Sequence, residues 1–186
     1  MKKQIVLLSY CCIVFSLSAQ TSSELLKSAR EKESKNDFRG MIEDCSRAIS
    51  LKADFDSAYC LRGFAYLKAL DFKNASDDFG KTIKLNSKYS DAYFYRGIMK
   101  AAKEDYVSAI KDFSKAIDTN PSNPKAYYNR AIASAYLSNY ADAIEDLTQA
   151  IKIKPDYLEA YYSRAYWQAS SGSYYEAIDD YKKVTE

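Results

Sequence analysis

DAYFYRGIMKAAKEDYVSAIKDFSKAIDTNP, Asp91 to Pro121, is the stretch that decides the fold. Its opening letters return along the chain as AYCLRG from Ala58, AYFYRG from Ala92, AYYNRA from Ala126 and AYYSRA from Ala160, each 34 residues after the last. Extended in both directions, the period gives five ungapped copies: 22–55, 56–89, 90–123, 124–157 and 158–186. Bulky and small side chains occupy fixed columns in these copies. The fourth position is Leu25, Tyr59, Tyr93, Tyr127 and Tyr161, and the eighth is Ala29, Gly63, Gly97, Ala131 and Ala165. Further on, the seventeenth is Phe38, Phe72, Tyr106, Tyr140 and Tyr174, and the twenty-fourth is Cys45, Phe79, Phe113, Leu147 and Tyr181. Steps of three and four residues within each copy are helical, and a small residue opposite a bulky one lets two helices approach closely.

The punctuation agrees. Asp37, Asp71, Asp105, Asn139 and Ser173 stand where a second helix of each copy should begin, and all are residues that accept hydrogen bonds from unpaired first-turn amides. Asn120-Pro121 and Lys154-Pro155 should stop one helix pair before the next, whereas Ala53 and Ser87 occupy the matching places in the first two copies and mark those junctions less clearly. Only five glycines and three prolines occur in 186 residues, too few for a sheet of many short strands. A two-helix unit cannot bury its apolar face alone, so stacking in register must build the core.

The period, the Tyr and Gly/Ala columns and the terminal proline resemble the tetratricopeptide repeat family over Ser22 to Glu186. That resemblance implies an all-α, right-handed solenoid of five helix-turn-helix repeats, a non-catalytic protein-interaction scaffold. It also implies a concave groove, lined by the first helices of successive units, that receives a partner peptide or helix. The first unit departs from the pattern at Met41 and Cys45 and lacks the Tyr and Gly of later units, which reads as an N-terminal cap.

Residues one turn from the packing columns on the first helices are Cys60, Phe64, Leu67, Phe94, Ile98, Tyr128, Ile132, Tyr162 and Tyr166. The resemblance assigns them, with Asn129, to partner contact; helical aromatic stripes equally describe core packing. A groove that clamps a C-terminal carboxylate would need several cationic residues, and chiefly Lys125 and Asn129 are available, so apolar anchors are the better expectation. The last unit adds Ile178, Tyr181 and Val184 to a face that no later copy covers, an invitation to a partner or to homo-oligomerisation.

Arg62, Arg96, Arg130 and Arg164 are each followed sixteen residues later by Asp78, Asp112, Asp146 and Asp180, which predicts ion pairs bracing the two helices of a unit. In the first unit Ser28 stands at the arginine position, and Asp44 is expected to meet Arg62 of the next unit.

The first residues, MKKQIVLLSYCCIVFSLSAQ, have the layout of a secretory signal peptide with a cut after Ala19: two lysines, an apolar run shorter than a bilayer span, then small residues. A bacterial periplasmic or secreted location follows. A retained anchor or lipidation at Cys11 or Cys12 is the alternative, although Tyr10 is bulky for the residue before a lipidated cysteine. Without residues 1–19 the 27 basic and 25 acidic residues become 25 of each, which disfavours nucleic acid and anionic lipid as partners.

Cys45 and Cys60 then remain, either as a disulfide or as free buried thiols. The chain has no histidine, which excludes nucleophile sites built on Ser/His/Asp or Cys/His. Its glycines are isolated, giving no phosphate loop, and pairs such as Asp77-Asp78 and Asp179-Asp180 have no partner across a cleft. Neither cofactor nor metal is expected. Asn74-Ala75-Ser76 matches a glycosylation sequon, but Ala75 belongs to a packed column.

Overall fold

The computed structural model describes residues 20–185, so the signal segment, including the cut after Ala19, lies outside the described residues. Ten α-helices follow in pairs: α1 (Ser22–Glu33) and α2 (Phe38–Leu51), α3 (Asp56–Lys68) and α4 (Phe72–Leu85), α5 (Ser90–Ala102) and α6 (Tyr106–Thr119), α7 (Pro124–Tyr136) and α8 (Tyr140–Ile153), α9 (Leu158–Ser170) and α10 (Tyr174–Thr185). Described residues include no strand. Each helix packs on its sequence neighbours, and successive first helices (α1, α3, α5, α7) also touch, so these line the inside of the stack.

The small column sets the helix spacing. A Cβ added at Gly63 would sit 2.8 Å from Phe79 Cε1, and one at Gly97 would sit 2.6 Å from Phe113 Cε1. Where the partner is the slimmer Cys45 or Leu147, the column holds Ala29 or Ala131, all four buried. Glycine thus appears where the opposing ring needs the room.

Within a pair, the turn residue lies in the left-handed region at the same place each time: Asn36 (φ 56), Leu70 (φ 59), Glu104 (φ 62), Ser138 (φ 62) and Gly172 (φ 90). The residue after it donates its N–H five positions back, as Asp71 does to Tyr66 O at 2.9 Å, closing the helix end as a Schellman-type turn. The second helix is then capped by a side chain. Asp37 accepts from Gly40 N–H at 2.9 Å, Asp71 from Asn74 N–H at 3.2 Å and Asp105 from Ser108 N–H at 3.2 Å. Asn139 departs from expectation and makes no side-chain cap bond. A capping box missed in the sequence starts α1, where the Glu24 carboxylate accepts from Thr21 N–H at 2.7 Å and Glu24 N–H donates to Thr21 Oγ1 at 3.2 Å.

Junctions between units are alike with and without proline. Lys52, Asn86 and Lys154 take extended backbone, Asn120 has φ -143 and ψ 84, and the four donate to Ala48, Thr82, Ala150 and Ala116 respectively at 2.8–2.9 Å. Ala53 and Ser87 therefore end their helices as well as Pro121 and Pro155 do, because the following repeat's packing fixes the bend.

All four predicted Arg–Asp pairs form as two-pronged bonds. Arg62 Nε and Nη2 donate to Asp78 at 2.8 and 2.7 Å, Arg96 to Asp112 at 2.8 and 2.7 Å, Arg130 to Asp146 at 2.8 and 2.7 Å, and Arg164 to Asp180 at 2.6 and 2.7 Å. The hydrogen bonds they donate to these carboxylates raise the pKa values of Arg62, Arg96 and Arg130. The remaining Nη1 reaches backwards, to Ser46 Oγ at 3.1 Å, Ser114 Oγ at 2.9 Å and Thr148 Oγ1 at 3.0 Å, in each case on the second helix of the preceding repeat. One arginine thus ties three helices. At Arg96 the matching position is Gly80, whose missing side chain leaves open space, with nothing within 4 Å of an added Cβ. In the first unit Asp44 does not meet Arg62; it accepts from Ser28 Oγ at 2.6 Å and Lys32 Nζ at 2.7 Å. Lys32 lies one turn beyond Ser28 on α1, and Lys100 at the matching place in the third repeat likewise reaches Asp112 at 2.7 Å.

Cys45 and Cys60 are free thiols, both buried, in separate packed clusters with Met41 and Phe79 respectively. Of the two readings of this pair, the free buried thiol is the one found. Burial pushes Cys45 up to about 12 and raises Cys60 as well, so neither ionises to a nucleophilic thiolate near neutral pH.

Gly80→Ser should give Arg96 its missing third partner. Helix propensity alone ranks Ala above Ser by a few tenths of a kcal/mol, while a hydrogen bond to a charged group contributes about 1.5–3 kcal/mol. Thermal unfolding followed by circular dichroism is expected to place Gly80→Ser above Gly80→Ala, and the reverse order would show that the tie is worthless. Arg130→Ala leaves Asp146 buried without its partner and should destabilise the chain by roughly 3 kcal/mol, read in the same experiment. Hydrogen bonds from Asn74 and Ser108 hold Asp71 and Asp105 below the usual 3.8. Their contribution is present above that value and lost as pH falls through the lowered one. In an acid titration Asp71→Asn/Asp105→Asn should therefore lose less helix than the wild type below about pH 4.

Candidate partner-binding groove

Because first helices line the inner side, residues facing away from their second-helix partners collect there. Between α3, α5 and the start of α7 they enclose a groove of about 690 Å³. Phe64, Leu67, Phe94, Ile98 and Asn129 of the predicted set line it together, with Lys125 beside them. Leu67 and Phe94 are buried, forming the floor, while Phe64 and Ile98 are half-buried. Phe64 lies 4.8 Å from Tyr95 and 6.4 Å from Phe38, centroid to centroid, so the same rings serve both packing and groove. The two descriptions of the aromatic stripe are not exclusive.

Tyr128 and Tyr162 fall elsewhere, in a second depression of about 410 Å³ shared with Leu158, Glu159, Ser163 and Val184. Tyr128 packs on Tyr157 at 5.2 Å and Tyr162 on Tyr181 at 5.8 Å. Ile132 is half-buried on α7, and Tyr166 is an exposed ring set edge-on to Trp167 at 4.6 Å; neither lines the two depressions. Cys60 lies below the groove in a smaller hollow of about 90 Å³ with Phe64, Tyr89 and Tyr95.

Sequence reasoning missed Lys68, Leu70, Phe72, Tyr95, Ala102 and Asn123 in the groove wall. Leu70 is the most telling. It occupies the left-handed turn column, where the other copies place Asn, Glu, Ser and Gly, and it is 73% exposed. An L-residue in that conformation costs about 1–2 kcal/mol, and an exposed leucine gains nothing in return from the fold. The signal was in the alignment, as the one large apolar residue in a column of turn formers.

Charge around the groove is divided. Lys68 and Lys125 stand on the rim with Glu33 and Asp91, and Lys68 Nζ sits 5.5 Å over the Phe64 ring while Lys103 Nζ sits 5.4 Å over Phe72. The cations are spent partly on aromatic faces, so the groove offers an apolar floor with mixed polar edges rather than a concentrated anion site. Among the described residues no group of three or more potential metal ligands occurs, and no helix is long and apolar enough to cross a membrane.

Family models described as tetratricopeptide repeat match residues 60–124 and 124–157, together more than half of the chain. The search of curated proteins finds no match. Among solved structures, the fold is similar to that of MamA, at a TM-score of 0.76 and 24% identity, covering 84% of this chain and 92% of that one. It is also similar to PilF of Pseudomonas aeruginosa, at a TM-score of 0.83 and 12% identity over 88% and 75%. A third is YrrB, described as a TPR protein with an unusual peptide-binding site, at a TM-score of 0.69 and 18% identity over 87% and 83%. The 34-residue unit first seen as a period in the letters is the tetratricopeptide repeat, and the chain belongs to that family.

Proposed function

We propose that the chain is an exported, non-catalytic scaffold that holds an apolar-anchored peptide or helix of a partner protein in the groove between α3, α5 and α7. The observation that carries this reading is Leu70, an exposed leucine kept in a left-handed turn at the lip of a 690 Å³ groove with an apolar floor. A side chain retained against both backbone preference and burial has its use outside the fold. YrrB, a TPR protein of the same fold with a peptide-binding site, supports the same class of partner. Export rests on Lys2, Lys3 and the apolar run from Ile5, and the balanced charge after residue 19 favours a protein partner over nucleic acid.

A second reading, a structural subunit of an envelope or secretion assembly that docks through its repeat ends, is favoured by the exposed Tyr174, Tyr175 and Ile178 of the last repeat.

Selection from a random peptide library against Gln20–Glu186 is expected to recover segments with large apolar anchors. Phe94→Ala should weaken their binding at least tenfold, the level of an interface hot spot. Leu70→Gly should also weaken binding while raising the melting temperature, because glycine relieves the left-handed turn. Selected peptides indifferent to both substitutions would overturn the groove assignment.

A further inference from the structure

In three repeats the seventeenth-position aromatic finds a ring on the next repeat's first helix: Phe38 on Phe64 at 6.4 Å, Tyr106 on Tyr136 at 4.6 Å and Tyr140 on Trp167 at 5.2 Å, while Phe72 lies under Lys103 Nζ at 5.4 Å instead. Tyr174, the last of the column, has no such ring among the described residues and is 65% exposed. Ile178 and Tyr181 continue its stripe at i+4 and i+7, and Tyr175 beside it is 86% exposed. Leu158, Tyr162 and Tyr166 of α9 are also about half exposed, and Tyr162 joins the stripe through Tyr181 at 5.8 Å. Scaling aromatic side chains of 150–250 Å² by these exposures gives roughly 600 Å² per protomer, near the ~800 Å² per partner of a stable interface.

The opposite end of the stack does not match it. Positions that carry the buried Ala58, Leu61 and Ala65 in the second repeat hold Glu24, Lys27 and Glu31 in the first, all exposed. Head-to-tail stacking of two chains would bury those charges without partners, so the first repeat blocks an open filament. The α10 face is instead complementary to itself. Asp179 and Lys182 flank the stripe one turn apart and bond each other at 3.2 Å while largely exposed. In an antiparallel α10–α10 contact about a two-fold axis near Asp180, Asp179 of each copy faces Lys182 of the other, with Ile178 and Tyr181 at the axis.

We infer that the α9–α10 face pairs with the same face of a second copy of this chain, closing a two-fold dimer. The inference gives the end-docking reading a specific partner and is independent of the groove.

Analytical ultracentrifugation of Gln20–Glu186, with circular dichroism as the folding control, tests it. The wild type is expected to be dimeric at tens of micromolar, Ile178→Glu to be monomeric and helical, and Phe94→Ala to remain dimeric. Asp179→Lys, placing like charges opposite Lys182, should weaken the dimer at least tenfold, and Asp179→Lys/Lys182→Asp should restore it. A dimer that survives Ile178→Glu, open-ended polymers, or failure of the charge swap to rescue would each overturn the arrangement. A monomeric wild type overturns it too; if Ile178→Glu still abolishes capture of an envelope protein, docking through the end stands without self-pairing, and if capture is unchanged both ideas fall.

Discussion

Everything in this solenoid depends on how closely the two helices of a repeat can approach. Phe79 and Phe113 occupy the space that a Cβ at Gly63 or Gly97 would need, and the slimmer Cys45 and Leu147 face alanines. The pairing of ring with glycine and of smaller side chain with alanine keeps packing dense although no single residue is invariant. Tyr181 is the exception in this column, half-buried and set edge-on to Tyr162 at 5.8 Å. Helix spacing, inner curvature and the width of the groove all descend from that local fit.

The arginine ties are the second layer, and they explain why a chain with four regularly spaced cations presents no ladder for an anionic ligand. Each guanidinium is consumed by one aspartate of its own repeat, and three of the four also reach a hydroxyl of the repeat before. Burial pushes Asp78 above its usual value even against the pull of Arg62, so that pair is held at some cost and serves geometry more than stability. What is left for a partner is the apolar inner surface. The division of labour is clear along α3, where Arg62 turns to Asp78 on the second helix and Phe64 and Leu67 to the groove.

Whatever the five copies share was legible in the letters, since repetition separates a structural requirement from chance. The helix pairs, the small and bulky columns and the Arg–Asp pairs all came from that comparison. Single-copy departures were not legible, because their compensation lies on a neighbouring turn or helix. Ser28 in place of an arginine leaves Asp44 to that serine and Lys32, Asn139 leaves its amides without a side-chain cap, and Thr21 begins the first helix one residue before the aligned unit. The groove was half legible for the same reason. Phe64, Leu67, Phe94 and Ile98 follow from helical phase, whereas Leu70 and Phe72 sit beyond the end of α3, where only the path of the turn brings them alongside.

The bare backbone at Gly80 has a mechanical meaning. A stack in which each unit touches only its neighbours is a row of couplings, and load applied to it is taken up first at the weakest one. The coupling between the second and third repeats lacks the hydroxyl bond found at the other three arginine seams. That seam also divides the walls of the groove, with Phe64 and Leu67 on one side and Phe94 and Ile98 on the other. Arms of two and three repeats therefore meet at the seam with the fewest side-chain ties to its arginine, held instead by Tyr95 of the third repeat against Phe64 and Phe79 of the second.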